Sequence, residues 1–515
     1  MKKLFLTLLT GVLAAETVLT GCDQMKKIDD DCGNTAESVR EPFVPELSTE
    51  DYAFGKPAAK ISRLALPAIF DSGMMFQRGK PIRVFGVAPN GAEVEIDLDG
   101  AVCKTVSDGA TGRFLAEISP LDAGTGHTLT VRCGEQSLTY TGIMVGDVFL
   151  CGGQSNMELH MDDSEWYGDF YTSQFDTMTV SEDIKQFFIP VSAAAEISYD
   201  FPAGSKWQTA TRENLGDFAP LPYLFAVRAW KDSGVPTAVI MCSAGGTAVQ
   251  QWMSIEAQDG IKGSEKSQFY PLRAHQYNSM VSPLFPFAFG ACFFYQGEAN
   301  GSYDVLDGLY QTYLKTMISE WRSKDFDSGL PFYVIELAGF LDERFAVLRA
   351  DQRQVCADTE NCYIVPNYDL GDIQNIHPTT KDVLSERMMK IYSATACGRN
   401  VDWQSPEMES TEIRDGAVVV KFVNCGKGLT AKKKNSVQGF EVAGADGKFY
   451  AASGKITGAD TIEVRSSRVP EPVYVRYFIT GYINSDSPVN SAGLPITPFS
   501  TSDVPLVFNG YLIQR

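Results

Sequence analysis

Three textures follow one another along the chain. From about Leu64 to Ile143, hydrophobic and polar positions alternate in short segments broken by Gly, Pro, Asn and Asp; Ile82-Arg-Val-Phe-Gly, Ala92-Glu-Val-Glu-Ile-Asp-Leu and Leu129-Thr-Val-Arg-Cys are examples. A period of two sends every second side chain to one face, so these segments predict antiparallel strands of a small β-domain over 61–145. After Gly146 the strands become uniformly apolar: Val148-Phe-Leu-Cys, Thr237-Ala-Val-Ile-Met, Ala291-Cys-Phe-Phe and Phe332-Tyr-Val-Ile-Glu-Leu. Helix-like stretches separate them, at Tyr223 to Lys231, Tyr310 to Arg322 and Phe345 to Ala357. Apolar strands alternating with helices indicate a parallel sheet covered on both faces, here over 146–403. From roughly Gln404 to the end the β texture returns, in Ala417-Val-Val-Val-Lys-Phe-Val, Thr461-Ile-Glu-Val-Arg and Val473-Tyr-Val-Arg-Tyr-Phe. The third region is therefore a C-terminal β-region, 404–515.

The N-terminal segment stands outside this pattern. Met1-Lys2-Lys3 is a short basic region, Leu4 to Leu19 is mostly apolar apart from Glu16, and Leu19-Thr20-Gly21-Cys22 resembles the lipobox of a bacterial lipoprotein. The resemblance implies a signal peptide over 1–22, cleavage before Cys22 and a lipid anchor on that cysteine; a signal cut elsewhere is the other reading. The polar run after it reads as a tether over 23–60. The expected location is then periplasmic or on the cell surface. No later stretch approaches about 18 uncharged apolar residues, so no further membrane span is expected.

Composition narrows the chemistry. In a chain of 515 residues, 64 acidic against 44 basic side chains give a net charge of −20. Such a surface repels phosphate backbones, so nucleic acid is not an expected partner; no protein partner can be inferred. Ten cysteines remain after Cys22, too few for a disulfide scaffold at this length. Cys103 with Cys133, on neighbouring predicted strands, and Cys356 with Cys362, six apart, are the two pairs that could form a bridge. No CxxC or HxxxH spacing occurs, so neither a structural metal nor a cofactor is expected. Only four histidines are present, His127, His160, His275 and His377.

In open α/β sheets, reactive residues collect on loops at the carboxyl ends of strands. The first such loop here is Gly152-Gly-Gln-Ser155-Asn-Met-Glu158, in which Ser155 is either a nucleophile backed by N–H donors or simply a helix N-cap. Met157 stands where a GxSxG elbow would have its last Gly, which disfavours an α/β-hydrolase. The second, Ser243-Ala-Gly245-Gly246-Thr247, offers a close-approaching backbone N–H or only a tight turn. The third, Tyr295-Gln296-Gly297-Glu298-Ala-Asn300, offers a neutral amide donor in Gln296. In the fourth, Gly371-Asp372-Ile-Gln374-Asn375-Ile-His377-Pro378, the histidine lies just before a helix predicted to open near Thr380.

Taken together, these loops resemble the sialate O-acetylesterase family of SGNH-type hydrolases. The resemblance runs from about Leu64 onward. It rests on Ile69-Phe-Asp-Ser-Gly-Met-Met-Phe-Gln-Arg, Gly146-Asp-Val-Phe-Leu-Cys-Gly-Gly-Gln-Ser155-Asn-Met-Glu, Gly245-Gly-Thr with Trp252-Met-Ser, Tyr277-Asn, Tyr295-Gln-Gly-Glu and Ile376-His377-Pro. Gly439-Phe-Glu-Val-Ala-Gly-Ala-Asp-Gly-Lys-Phe-Tyr and Gly493-Leu-Pro-Ile-Thr-Pro-Phe resemble its C-terminal β-region. The resemblance implies an α/β fold, an SGNH-type three-layer sandwich with a parallel sheet, flanked by N-terminal and C-terminal β-domains. It also implies a carbohydrate O-acetylesterase with Ser155 as nucleophile and His377 as general base. The Ser155 N–H, the Gly246 N–H and the Gln296 amide would form the oxyanion hole; losing one such donor typically costs about 3–4 kcal/mol. Asn156, Trp252 and Glu298, in the matching blocks, would contact substrate.

Three departures stand out. Leu159 replaces an aromatic residue. His275 replaces an apolar one, as a structural residue or a substrate contact. Gln374 stands where relatives carry the acid that orients the catalytic histidine. The orienting group is then Asp372 or a backbone carbonyl of the loop, with the Gln374 side chain less favoured. The resemblance implies an acetylated glycan as substrate, of sialic acid or of plant polysaccharides such as xylan and mannan. A non-catalytic glycan-binding surface lipoprotein is the remaining alternative.

Overall fold

In a computed structural model, the described residues are 60–303, 308–433, 435–482, 486–502, 506–508 and 511–513. The signal and tether, Cys22 included, lie outside them. Contacts divide the chain into two compact units. One holds the described residues up to Met161 with Thr172–Phe294 and Thr312–Phe332; the other holds Asp162–Tyr171, Tyr295–Gln311 and Tyr333–Arg515.

In chain order the strands begin β1 (Met75–Gln77), β2 (Ile82–Val87), β3 (Glu93–Leu98), β4 (Ala101–Val106), β5 (Arg113–Ile118), β6 (Gly124–Cys133) and β7 (Gln136–Gly153). There follow α1 (Ser155–Glu158), α2 (Ser164–Tyr167), β8 (Ser181–Phe188), β9 (Lys206–Ala210), α3 (Pro220–Ser233), β10 (Thr237–Ser243) and β11 (Ala291–Tyr295). The later part has α4 (Glu298–Tyr303), α5 (Tyr310–Lys324), β12 (Phe332–Ile335), α6 (Arg344–Asp358), β13 (Cys362–Val365), α7 (Lys381–Thr395) and the strands from β14 (Glu407–Arg414) onward.

The first unit is organised around β7. Its N-terminal half alternates in burial and pairs antiparallel with β6, while Asp147–Gly153 is wholly buried and pairs parallel with β10. One 18-residue strand thus passes through the change of texture at 145/146. The strand order is β11-β7-β10-β8-β9, and β9 joins β8 antiparallel, so the sheet is mixed where a parallel one was expected. The reason is local: β8 and β9 are joined directly, without the crossover helix that a parallel pair needs. Helix α3 covers this sheet. Pro220 occupies its first turn and Gly234, at φ +69°, closes it in the left-handed conformation that favours glycine. Its Phe225 ring lies 5.0 Å from Phe149 of β7 and 4.4 Å from Phe293 of β11. Truncating such a core ring typically costs about 3–5 kcal/mol.

Strand register also rules out one of the two possible bridges. β3 lies between β4 and β6, with Ile96 opposite Cys103 and Glu95 opposite Arg132. Cys103 and Cys133 are thus two strand spacings apart, roughly 9–10 Å, beyond the reach of a disulfide.

In the second unit, β13 and β12 are neighbours, and a separate antiparallel sheet comprises β14, β15 (Ala417–Val423), β16 (Val437–Ala443), β17 (Phe449–Ile456), β18 (Thr461–Arg465), β19 (Tyr474–Tyr477) and β20 (Phe499–Ser500), in the order β14-β15-β18-β17-β16-β19-β20. Its buried face gathers Val418, Val420, Phe422, Phe440, Val442, Ile462 and Tyr477 around Tyr368, whose hydroxyl donates to the Ile496 carbonyl at 2.6 Å. Among the described residues no helix is long and apolar enough to cross a membrane.

Candidate active site

Strand register builds the serine corner. β10 runs beside β7 from Thr237 opposite Asp147 to Ser243 opposite Gly153, so both strands end at the same edge. The Ala244 N–H donates to the Gly153 carbonyl at 3.0 Å, holding the two exit loops together. Ser155 is the first residue of the one-turn helix α1 and half-buried; Gln154 takes the N-cap position, so the N-cap reading of Ser155 does not hold. Met157, fully buried, and Asn156, at 3% exposure, anchor the turn.

The Gly245-Gly246 loop closes on this serine. A Cβ on Gly245 would meet Glu158 Oε2 at 3.0 Å and Ser155 Cβ at 3.4 Å, so the backbone approaches to a distance that a larger residue would crowd. Glu158 Oε2 accepts the Gly245 N–H at 2.5 Å. Gly246 follows at φ +71°, a left-handed conformation open to glycine at little cost. Glu158 is therefore a positioning residue of this corner. Its signal was present in the sequence, three residues after Ser155 in the same block, but a carboxylate that holds a backbone amide has no signature of its own.

Trp252, expected to contact substrate, is fully buried. Its indole N–H donates to Thr247 Oγ1 at 2.9 Å, and its carbonyl accepts from the Trp321 indole at 2.9 Å. It presents no face to a sugar and instead braces the Gly245–Thr247 loop from behind.

The histidine corner lies in the second unit and is shaped by side-chain turns. Asp372 Oδ1 accepts the N–H groups of Gln374 at 2.7 Å and Asn375 at 3.3 Å, and Asn375 Oδ1 accepts the His377 N–H at 2.8 Å. Such short polar side chains fold a loop by standing in for backbone acceptors. Asn375 Nδ2 donates to the Trp166 carbonyl at 3.1 Å, and the Trp166 ring packs edge-on against His377 with centroids 4.3 Å apart. Tyr171 and Thr380 tie the end of the loop, through the Thr379 and Leu370 carbonyls.

Asp372, one of the two expected orienting groups, is exposed, and its Oδ1 serves its own loop. What acts on the buried His377 is desolvation and the Lys381 ammonium, which together push its imidazole down to about 3. The imidazole is therefore neutral in all but strong acid, the form in which it accepts a proton.

Lys381 is the least expected residue here. It is 1% exposed, opens helix α7, and its Nζ lies 5.4 Å from the Tyr295 ring centroid. Burial pushes its ammonium down to about 7, opposed by the carboxylate of Glu298, itself 4% exposed. A buried cation at a helix N-terminus opposes both desolvation and the helix dipole, and such groups concentrate at functional sites. Sequence reading passed over both Lys381 and Trp166, because one looks like an exposed helix residue and the other belongs to a distant segment.

Gln296, 1% exposed, donates through Nε2 to Asn300 Oδ1 at 2.9 Å, and Tyr310 donates to its backbone carbonyl at 3.1 Å. Its amide is thus held in place by its own unit. The other histidines sit elsewhere: His127 pairs with Asp99 at 2.6 Å, His160 packs on Phe188, and His275 is buried, where desolvation lowers its proton affinity.

Residues 145–393 match the family model described as carbohydrate esterase, sialic acid-specific acetylesterase. The human sialate O-acetylesterase is 23% identical over 346 residues, which is 58% of this chain and 63% of that protein. The rat sialate O-acetylesterase is 24% identical over 69% of this chain and 79% of its own length. The chain thus spans less than two thirds of the length of the human relative. A solved structure of a carbohydrate acetylesterase from Xanthomonas citri is 28% identical, with a TM-score of 0.75 over 85% of this chain and 99% of that one. Over residues 145–393 the chain is thus similar to the carbohydrate esterase family of sialic acid-specific acetylesterases.

Proposed function

We propose that the chain is a carbohydrate O-acetylesterase that uses Ser155 as nucleophile and His377 as general base, on an SGNH-type three-layer sandwich with β-domains on either side. The observation that carries this reading is the likeness to the Xanthomonas citri carbohydrate acetylesterase along nearly that enzyme's whole length. The reaction begins as Ser155 Oγ attacks the acetyl carbonyl while His377 takes its proton, since an unassisted hydroxyl is a weak nucleophile. The Gly246 N–H, the Ser155 N–H and the Gln296 amide stabilise the oxyanion. Collapse breaks the bond to the sugar oxygen, which takes the proton from His377 and leaves as a hydroxyl, and water repeats the sequence to release acetate. Asp372 shapes the loop, and Ser155 with His377 works as a dyad.

The substrate is an acetylated glycan, with Asn156 and Glu298 among its contacts. Acetate release from a panel of acetylated sialosides, xylans and mannans tests the reading and assigns the sugar. Glycan binding without acetate release from any of them would leave a binding protein in its place.

The reading makes a pH prediction. The Lys381 ammonium lowers the proton affinity of His377, so its removal raises that affinity. The acid limb of kcat/KM should therefore move to higher pH in Lys381→Met and stay near the wild-type position in Lys381→Arg. An unmoved limb in Lys381→Met would remove Lys381 from the mechanism.

The N-terminal motif supports export and a lipid anchor at Cys22. Bacterial lipoproteins carry several acyl chains, enough for stable anchoring. Wild type should partition into detergent and Cys22→Ser into the aqueous phase; identical partitioning of the two would refute the anchor.

A further inference from the structure

Of the two cysteine pairs that sequence spacing left open, one is assembled in the fold. Cys356 lies in the last turn of α6, Cys362 opens β13, and their sulfur atoms are 3.4 Å apart. Both are buried, at 8% and 5% exposure, so neither thiol is displayed for chemistry with a substrate. The chain reverses between them through Asn361, whose φ of +49° is the left-handed conformation that asparagine tolerates better than most residues. That reversal brings the start of the strand back against the end of the helix.

We infer that Cys356 and Cys362 are the sites of an intramolecular disulfide that staples α6 to β13. The sulfurs need to approach by only about 1.4 Å to reach the covalent distance of about 2.05 Å. The oxidant is a small or protein disulfide of the thiol–disulfide exchange class. One cysteine thiolate attacks the donor disulfide and forms a mixed disulfide, and the second thiolate displaces the donor's remaining sulfur. Two protein thiols are oxidised and lose two protons, one S–S bond forms in the protein, and the donor's S–S bond is reduced to two thiols. Because both sulfurs are shielded in the folded unit, exchange takes place while this segment is still folding. The bridge fixes the base of two working parts. From α6, Gln352 donates to the Gln296 carbonyl at 2.9 Å, and β13 leads through Asn367 and Tyr368 into the His377 loop.

The sequence between the cysteines makes the test direct. The full chain is refolded with oxidised glutathione, then denatured and alkylated without reduction. Trypsin should release a peptide spanning 354–381 that contains both cysteines unalkylated and is two hydrogens lighter than its reduced form. Further cleavage after Glu360 should leave two fragments joined until dithiothreitol is added. Alkylation of both cysteines, or a linkage of either one to Cys397 or another cysteine, would overturn the assignment. Dithiothreitol should also lower the Tm of wild type by several degrees and leave those of Cys356→Ser and Cys362→Ser unchanged. If those variants do not fold, the wild-type peptide map still decides. None of these readouts depends on esterase activity.

Discussion

Ser155→Ala should lower kcat for acetate release by roughly four to six orders of magnitude, the loss seen when a serine hydrolase loses its nucleophile. Stability should hardly change. Ser155 is only half-buried, whereas Met157 and Asn156 beside it are buried and pack the turn. The Glu158 link to Gly245 involves neither the Ser155 side chain nor its replacement, so the shape of the corner should survive. Turnover of p-nitrophenyl acetate and of an acetylated glycan should fall together, with circular dichroism and Tm as for wild type. A variant that keeps more than about a tenth of wild-type kcat on the glycan would place the nucleophile elsewhere.

His377→Ala should come close to the same loss, because groups that act as a unit fail together. The informative comparison is with Asp372→Asn. In triads whose carboxylate holds the histidine, the corresponding change costs about 10⁴ in kcat. Here Asp372 is exposed and Oδ1 accepts two backbone N–H groups of its own loop, a task the Asn carbonyl performs as well. Asp372→Asn should therefore cost less than about tenfold. A loss of three orders or more would restore Asp372 as the orienting acid, and full activity in His377→Ala would defeat the mechanism. A histidine whose proton affinity is already pushed down to about 3 should also leave kcat/KM flat from neutrality well into mild acid.

Much of this architecture was legible because its signals are local. Strands at Ile82–Val87, Glu93–Leu98, Ala417–Val423 and Thr461–Arg465 follow alternation or apolar runs, and the helices at Pro220–Ser233, Tyr310–Lys324 and Arg344–Asp358 extend the predicted stretches by only a few residues. The loops that carry Ser155, Gly246 and Gln296 are legible as glycine- or amide-rich breaks after apolar strands, and the His377 loop by the helix that follows it.

Where reading failed, the deciding contact was one that only the folded loop or sheet makes. Trp252 reads as a substrate contact, and only the fold seals it against Thr247 and Trp321. Asp372 reads as a triad acid until its loop closes on it. The mixed sheet depended on whether β9 pairs with β8 directly, which neither strand's own pattern encodes.

By itself the sequence determined the order of strand and helix textures, the net charge of −20 and the loops that carry Ser155, Gly246, Gln296 and His377. Those properties depend on neighbours a few positions apart and on the intrinsic chemistry of side chains. Only the tertiary structure decided that Glu158 holds Gly245, that Trp166 and Lys381 attend His377, and that Cys362 meets Cys356 while Cys103 does not meet Cys133. These outcomes are set by strand register and by which groups lose their water on folding, and both belong to the assembled chain.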